Sequence, residues 1–273
     1  MKLATCTMLF SLLLSAQVHA WVITADFESG QLGQNAAGTD AFAYAGKLTV
    51  FDNTRAQSGK RSAKATIKEG TDGWNDWGGS WRYPKPLQEG DELWYRVWLW
   101  IEPGWDWNVG SKGTRFHTIS AKGVNGGYLD NFFYNNAIRL GSEVSPTLFF
   151  NNGDDIDLPA MPKGSWQSFE RYIKWHSVPG QAIDRVWING VLVFEDKKTN
   201  TLRDSTSVAD FVFQFGFFDG VDTGGAPNTQ TLWIDNIVMT NERPSETDKF
   251  GNSFIGVGNA NITAPPNPPG SIN

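Results

Sequence analysis

The sequence predicts an all-β protein: a two-sheet antiparallel sandwich of jelly-roll type. Three observations point there. Alternation of apolar and polar residues with period two runs through most of the chain, while the 3.6-residue period of an amphipathic helix is nearly absent. Turn signals such as Ser58-Gly59, Asn125-Gly126-Gly127, Asn152-Gly153-Asp154 and Gly224-Gly225 cut that alternation into short segments. No fixed-period repeat is present, which argues against a propeller or a solenoid. The span from residue 21 to residue 243 is read as one domain, a normal size for a single β-sandwich.

The predicted strands, in order, are Trp21–Glu28, Lys47–Asp52, Arg61–Lys68, Glu92–Ile101, Arg115–Ala121, Asn131–Tyr134, Thr147–Phe150, Gln167–His176, Asp184–Ile188, Val191–Glu195, Asp210–Phe218 and Thr231–Met239. The clearest hairpin is "RVWINGVLVFED". Its Asn189-Gly190 pair suits a type I′ turn, whose two central residues both need positive φ. Residues 244–273 are rich in Gly, Pro and Asn and poor in apolar surface, so they are expected to be a disordered tail.

The first twenty residues read as an export signal: Lys2, an apolar run from Met8 to Leu14, and Val18-His19-Ala20 as a small-x-small cleavage site. The expectation is therefore a secreted protein, extracellular or periplasmic, with no membrane span. Losing this segment removes the single cysteine, Cys6, and leaves His117 and His176 as the histidines. Disulfides, thiolate metal sites and a cysteine nucleophile are thereby excluded. The full chain has 23 Lys and Arg against 29 Asp and Glu, a net charge of −6. Such an acidic chain is a poor partner for nucleic acid. A monomer acting on an acidic polysaccharide is expected; local basic residues in a cleft would then have to draw the polyanion in.

Tryptophan usage is high, with 13 residues. In "ELWYRVWLWI", alternation places Leu93, Tyr95, Val97, Leu99 and Ile101 on one face, which reads as core. Glu92, Trp94, Arg96, Trp98 and Trp100 fall on the other. Indoles stack on sugar rings and Arg grips carboxylates, so this second face is expected to line a saccharide trough. The alternative is that the indoles pack beneath loops, with Arg96 stacked on one of them. The preceding segment, "GTDGWNDWGGSWRYPKP", is read as a rim loop contributing Trp77, Trp81 and Arg82.

"GDELWYRVWLWIEPGWDW", "GSKGTRFHTISAKG", "GSWQSFERYIKWHS" and "TLWIDNIVM" together resemble secreted polysaccharide lyases with a concanavalin-A-like jelly roll, in the style of alginate and heparin lyases. The resemblance spans most of Asp26 to Met239. It implies a lyase that cleaves a uronate-containing glycan by β-elimination. The ends "DFESG" and "WIDNI" are shared with carbohydrate-binding modules, so a non-catalytic binder is the second reading. By the same likeness, Glu28 and Asp235 would ligate a structural calcium; no other cofactor is required. The Glu-x-Asp-x-x-Glu pattern of laminarinase-type hydrolases is absent, which counts against a glycoside hydrolase.

A lyase must neutralise the uronate carboxylate, remove the C5 proton and protonate the departing O4. In "TRFHTIS", Arg115 and His117 share a strand face, and can supply a carboxylate-binding cation and a base. Tyr172 and Lys174 of "SFERYIKWHS" are the next candidates for base and acid. Gln214, the polar residue within "FVFQFGFF", and Tyr134 complete the expected substrate-binding set.

Overall fold

In the computed structural model, residues 20–70, 76–106, 111–119, 125–134, 137–143, 156–218, 226 and 228–258 are described. The predicted strand over residues 147–150, and residues 1–19 of the expected signal, lie outside that set. Among the described residues, fifteen strands follow one another: β1 (Val22–Ala25), β2 (Tyr44–Ala45), β3 (Thr49–Asp52), β4 (Ser62–Ile67), β5 (Gly79–Leu87), β6 (Glu92–Ile101), β7 (Ser111–Ile119), β8 (Asn125–Tyr134), β9 (Ala137–Glu143), β10 (Ile156–Ala160), β11 (Trp166–Lys174), β12 (Ile183–Ile188), β13 (Val191–Asp196), β14 (Val208–Phe218) and β15 (Gln230–Thr240).

They form two antiparallel sheets, so the jelly-roll sandwich is the observed architecture. The first has the order β13-β12-β11-β6-β15-β4-β3, with β1 also paired to β15; the second has the order β10-β9-β8-β7-β14-β5-β2. The predicted Asn189-Gly190 turn is present, with φ of 51° and 77° at its two central residues.

Between the sheets lies the predicted inward face of β6. Leu93, Tyr95 and Val97 are fully buried there, and Tyr95 meets Phe116 of β7 edge-on at 5.6 Å. A two-point pair, Arg171 Nε to Asp184 Oδ1 (2.9 Å) and Nη2 to Oδ2 (2.6 Å), is buried on the inner side of β11 and β12. Such a pair survives burial because each charge finds its partner without water.

From Gly79 onward the predicted rim loop is instead a strand. β5 carries Pro84 and Pro86, which argue against a central strand because proline cannot donate to a ladder. The sheet accommodates them because the partner on one side, β2, pairs only with Ser80 and Gly79. Trp77 (1% exposed) and Trp81 (5%) are core side chains, and Trp81 donates its Nε1–H to the Ala41 carbonyl. Neither lines a substrate surface.

The outer face of β6 also differs from expectation. The segment expected to be a tail folds back across it, at least as far as residue 258. Trp94, Tyr172, Trp187, Val238, Phe254 and Ile255 make a second apolar cluster beneath this strap. Arg96 is 2% exposed and donates to the carbonyls of Gly256 (2.9 Å), Gly258 (2.5 Å) and Asn236 (3.3 Å). Glu170, opposite Arg96 on β11, accepts the N–H groups of Ile255 and Gly256. Trp94 donates to the Ser253 carbonyl at 3.0 Å. The side chains predicted to grip a sugar acid therefore grip the backbone of their own chain. The composition of residues 244–273 taken together concealed this, because its many Gly, Pro and polar residues outweigh two apolar anchors; the strap is held through its peptide groups and through Phe254 and Ile255, which enter the cluster.

Burial pushes the Glu170 carboxyl from its ordinary 4.5 up to about 8, against the opposing pull of the two N–H donors and Arg96. Between those values the folded state binds more protons than the unfolded one, so stability falls as pH rises through the window. Urea denaturation at steps across that range should show the wild type losing stability toward the alkaline end relative to Glu170→Gln. Parallel curves would mean that the carboxyl is already ionised at the acid end.

Candidate functional site

On the second sheet, β7 lies between β8 and β14. Phe116, Leu129 and Val212 occupy one register row and are fully buried between the sheets. The flanking residues of β7, Arg115 and His117, therefore fall on the outer face. His117 stands opposite Phe211 of β14 on one side and Tyr128 of β8 on the other, and Phe211 in turn stands opposite Arg82 of β5. Three sequence-predicted residues, Arg115 and His117 of β7 and Arg82 of β5, thus gather with Phe211 and Tyr128 across four adjacent strands.

Their geometry is specific. The His117 ring stacks on Phe211 at 4.4 Å and 29°, and lies 4.9 Å from the Tyr128 ring. The Arg115 guanidinium sits 3.8 Å above the centre of Tyr128. His117 Nδ1 hydrogen-bonds to Asp210 Oδ1. The second carboxylate oxygen of Asp210 is 3.7 Å from Arg82 Nη1. Pairing of β14 with both neighbours slips between Ala209 and Phe211, at Asp210. A bulge of this kind re-aims the side chain that it carries.

A carboxylate can only accept, so Nδ1 of His117 carries the hydrogen and the lone pair of the neutral ring is on Nε2. Arg115 is 1% exposed and His117 7%, whereas the Arg82 side chain is 80% exposed. The site has a nearly closed floor of cation, imidazole and phenol, with one mobile-length cation at its edge.

The remaining predicted residues are elsewhere. Tyr172 and Lys174 belong to β11 of the opposite sheet, and Tyr172 donates its hydroxyl hydrogen to Glu92 at 2.8 Å. They cannot share a substrate bond with His117 across the thickness of the sandwich. Trp94, Arg96 and half-buried Trp98 are on that same opposite sheet. Gln214 points between the sheets, where its Oε1 accepts hydrogen bonds from Tyr95 and from Thr114 (2.7 Å). It fixes the sheet-to-sheet contact and does not line a trough. Tyr134 ends β8 opposite Ala137, and its side chain lies outside the described residues.

Glu28 and Asp235 converge on the loop over residues 55–61. Glu28 Oε1 accepts from Lys60 N (2.7 Å) and Arg61 N (2.8 Å); Asp235 Oδ2 accepts from Gln57 N (2.7 Å). Burial pushes the Asp235 carboxyl up to about 7, and the like charge of Glu28 adds to the rise. Phe27 and Asn236, their chain neighbours, have left-handed φ of 58° and 46°. A cation between the two carboxylates would offset their mutual repulsion. No third carboxylate, histidine or cysteine joins them among the described residues, so carbonyl, hydroxyl and amide oxygens would complete the set.

The family model described as polysaccharide lyase matches residues 27–238. The chain belongs to that polysaccharide lyase family. Comparison with curated protein sequences finds no match. Among solved structures, this lyase is similar to the endo-β-1,4-glucuronan lyase of the fungus Trichoderma reesei, with a TM-score of 0.55 and 16% identity over 80% of this chain and 94% of that one. It is also similar to the alginate lyase Aly36B bound to an alginate trisaccharide, with a TM-score of 0.60 and 16% identity over 80% and 97%. The alginate lyase vAL-1 from Chlorella virus gives 0.56 and 15% over 77% and 99%. Likeness at this level of identity establishes the shared jelly roll.

Sequence reasoning missed Asp210 and Phe211 as site residues. They lie far from His117 along the chain. The one local signal was an aspartate opening the apolar run "DFVFQFGFF", where a carboxylate at a strand bulge needs a partner. Replacing Asp210 with Asn should free His117 to adopt the other tautomer. We expect kcat to fall by about 10²-fold or more, within the span that general-base function contributes, while far-ultraviolet circular dichroism is unchanged. A kcat within twofold of wild type would show that Asp210 does not set the imidazole.

Proposed function

We propose that this polysaccharide lyase cleaves a uronate-containing glycan by β-elimination on the outer face of the second sheet. The observation that carries the proposal is the His117–Asp210 pair flanked by Arg115 and Tyr128. A carboxylate-oriented imidazole can take a proton, and a guanidinium can hold the substrate carboxylate. Glucuronan and alginate, named for the similar structures, are both uronate polymers.

Substrate would enter past Arg82, the most accessible cation of the group. Arg82 would pair with the uronate carboxylate, with the positive charge of buried Arg115 behind it, offsetting the negative charge that builds up when C5 loses its hydrogen. His117 Nε2 would take that proton; Asp210 stabilises the imidazolium that results. The electron pair from the C5–H bond forms the C4–C5 double bond, and the C4–O4 bond breaks. The departing O4 takes a proton from Tyr128 or from the imidazolium. The balance closes without water, metal or redox partner.

Incubation with polyglucuronate and with alginate should release unsaturated ends, seen as new near-ultraviolet absorbance, and His117→Ala should lower that rate by about 10²–10⁴-fold. Reducing ends without new absorbance would point to hydrolysis. Retention on the polymer with no new ends would make the chain a binder.

Residues 1–20 are read as an export signal, which fits a polymer substrate too large to enter a cell. A calcium ion held by Glu28 and Asp235 is the proposed structural cofactor. It would stabilise the fold by mass action, so adding millimolar Ca²⁺ to chelator-treated protein should raise Tm, and Asp235→Asn should abolish the rise. An equal Tm with and without Ca²⁺ would remove the ion from the account.

A further inference from the structure

At the opposite side of the sandwich, β3 is the edge strand of the first sheet and pairs with β4. Inward residues Thr49, Phe51, Ala63, Ala65 and Ile67 are buried. Val50, Asp52, Lys64 and Thr66 alternate to the outside, and Lys68 continues the row just past β4. With Lys47 and the side chain of Leu32, these residues line an open groove of about 300 Å³.

Two buried tryptophans, capped by an exposed arginine, adjoin the groove. Trp233 of β15 donates its Nε1–H to Asp52 at 2.9 Å and carries the Lys64 ammonium 5.5 Å from its ring centre. Trp100 of β6 meets Trp233 edge-on at 5.1 Å. The exposed Arg55 lays its guanidinium 3.4 Å over Trp100 and 4.9 Å from Trp233. Lys47, Lys64, Lys68 and Arg55 face Asp52 and Asp76, the latter paired to Lys47 at 2.6 Å. The patch is therefore net positive by two charges, on a chain whose net charge is −6.

We infer that this groove, with the Arg55–Trp100–Trp233 stack beside it, is a second binding surface for an anionic polysaccharide, separate from the His117 site. The reasoning rests on the uronate reading of the substrate. Four cations spread over neighbouring strands suit a ligand whose negative charges recur along a chain better than a compact anion held at one point. A guanidinium already stacked on an indole is pre-oriented, so it loses little freedom when it meets a carboxylate. Lys64 held against Trp233 behaves likewise. The patch faces away from His117, so a long polymer could be held on one sheet while a segment of it is cut on the other. Multivalent attachment of that kind raises local substrate concentration without a new catalytic contact.

The test is electrophoretic. His117→Ala protein is run through gels with and without embedded polyglucuronate, alongside the same protein carrying Lys64→Glu and Lys68→Glu. Near-ultraviolet circular dichroism checks that both are folded, and Lys64→Gln with Lys68→Gln serves if the Glu pair is not. We expect retardation by the polymer to weaken at least fivefold in the groove variant, and retardation of the parent to fade with added salt. Equal retardation of parent and groove variant would overturn the second surface. Release of unsaturated ends by the wild type is scored separately. Its absence would sink the lyase reading while the retardation comparison still decides the groove.

Discussion

The fold depends on one constraint: β6 is covered on both faces. Its aliphatic side faces the second sheet; on the other side Trp94 and Arg96 face the strap, and Trp100 packs against Trp233 and Arg55. A central strand with a wet outer face would carry alternating small polar residues there. This one carries Trp94, Arg96, Trp98 and Trp100, which must be covered or put to use. The chain covers Trp94 and Arg96 with its own residues 248–258, through peptide groups gripped by Arg96 and Glu170. Because the strap returns across β6, β11 and β12, it ties the end of the chain to the middle of the first sheet.

That arrangement leaves the outer face of the second sheet for the candidate site. The site is assembled by strand pairing alone: β5, β14, β7 and β8 each place a side chain in one row, and the Asp210 bulge turns a carboxylate onto His117. No loop is needed to bring these groups together. Rigid neighbouring strands hold an imidazole, a guanidinium and a phenol within ring-contact distance, which is the positioning that an elimination reaction requires.

The charge distribution follows the same division. The chain is acidic overall, yet cations collect at two places, around Arg82 and Arg115 on one sheet and along Lys47, Lys64, Lys68 and Arg55 on the other. An acidic protein that meets a polyanion gains nothing from its mean field. Under the proposed function, local clusters of cations beside aromatic rings would supply the attraction instead.

Much of the fold was legible in the sequence. Period-two alternation located β6, β11, β12, β13, β14 and β15 to within a few residues, because a strand with one face in a core must alternate. Asn189-Gly190 announced its hairpin through a φ requirement that few other pairs meet. Arg115 and His117 were legible as a pair because i and i+2 share a strand face whatever the surroundings. Alternation cannot say what covers a face. It placed Arg96 with Arg115 in one trough, although the two strands belong to different sheets. It placed Tyr172 with His117 for the same reason, and it saw a loop in β5 because its prolines mask a strand whose far edge is mostly unpaired. Asp210 and the strap lay beyond any local pattern: one depends on a bulge in the β14 pairing, the other on hydrogen bonds between side chains and a backbone some 85 to 160 residues away. Local chemistry fixed which residues face the same way; only the tertiary structure decided which faces meet, because that is set by long-range strand order.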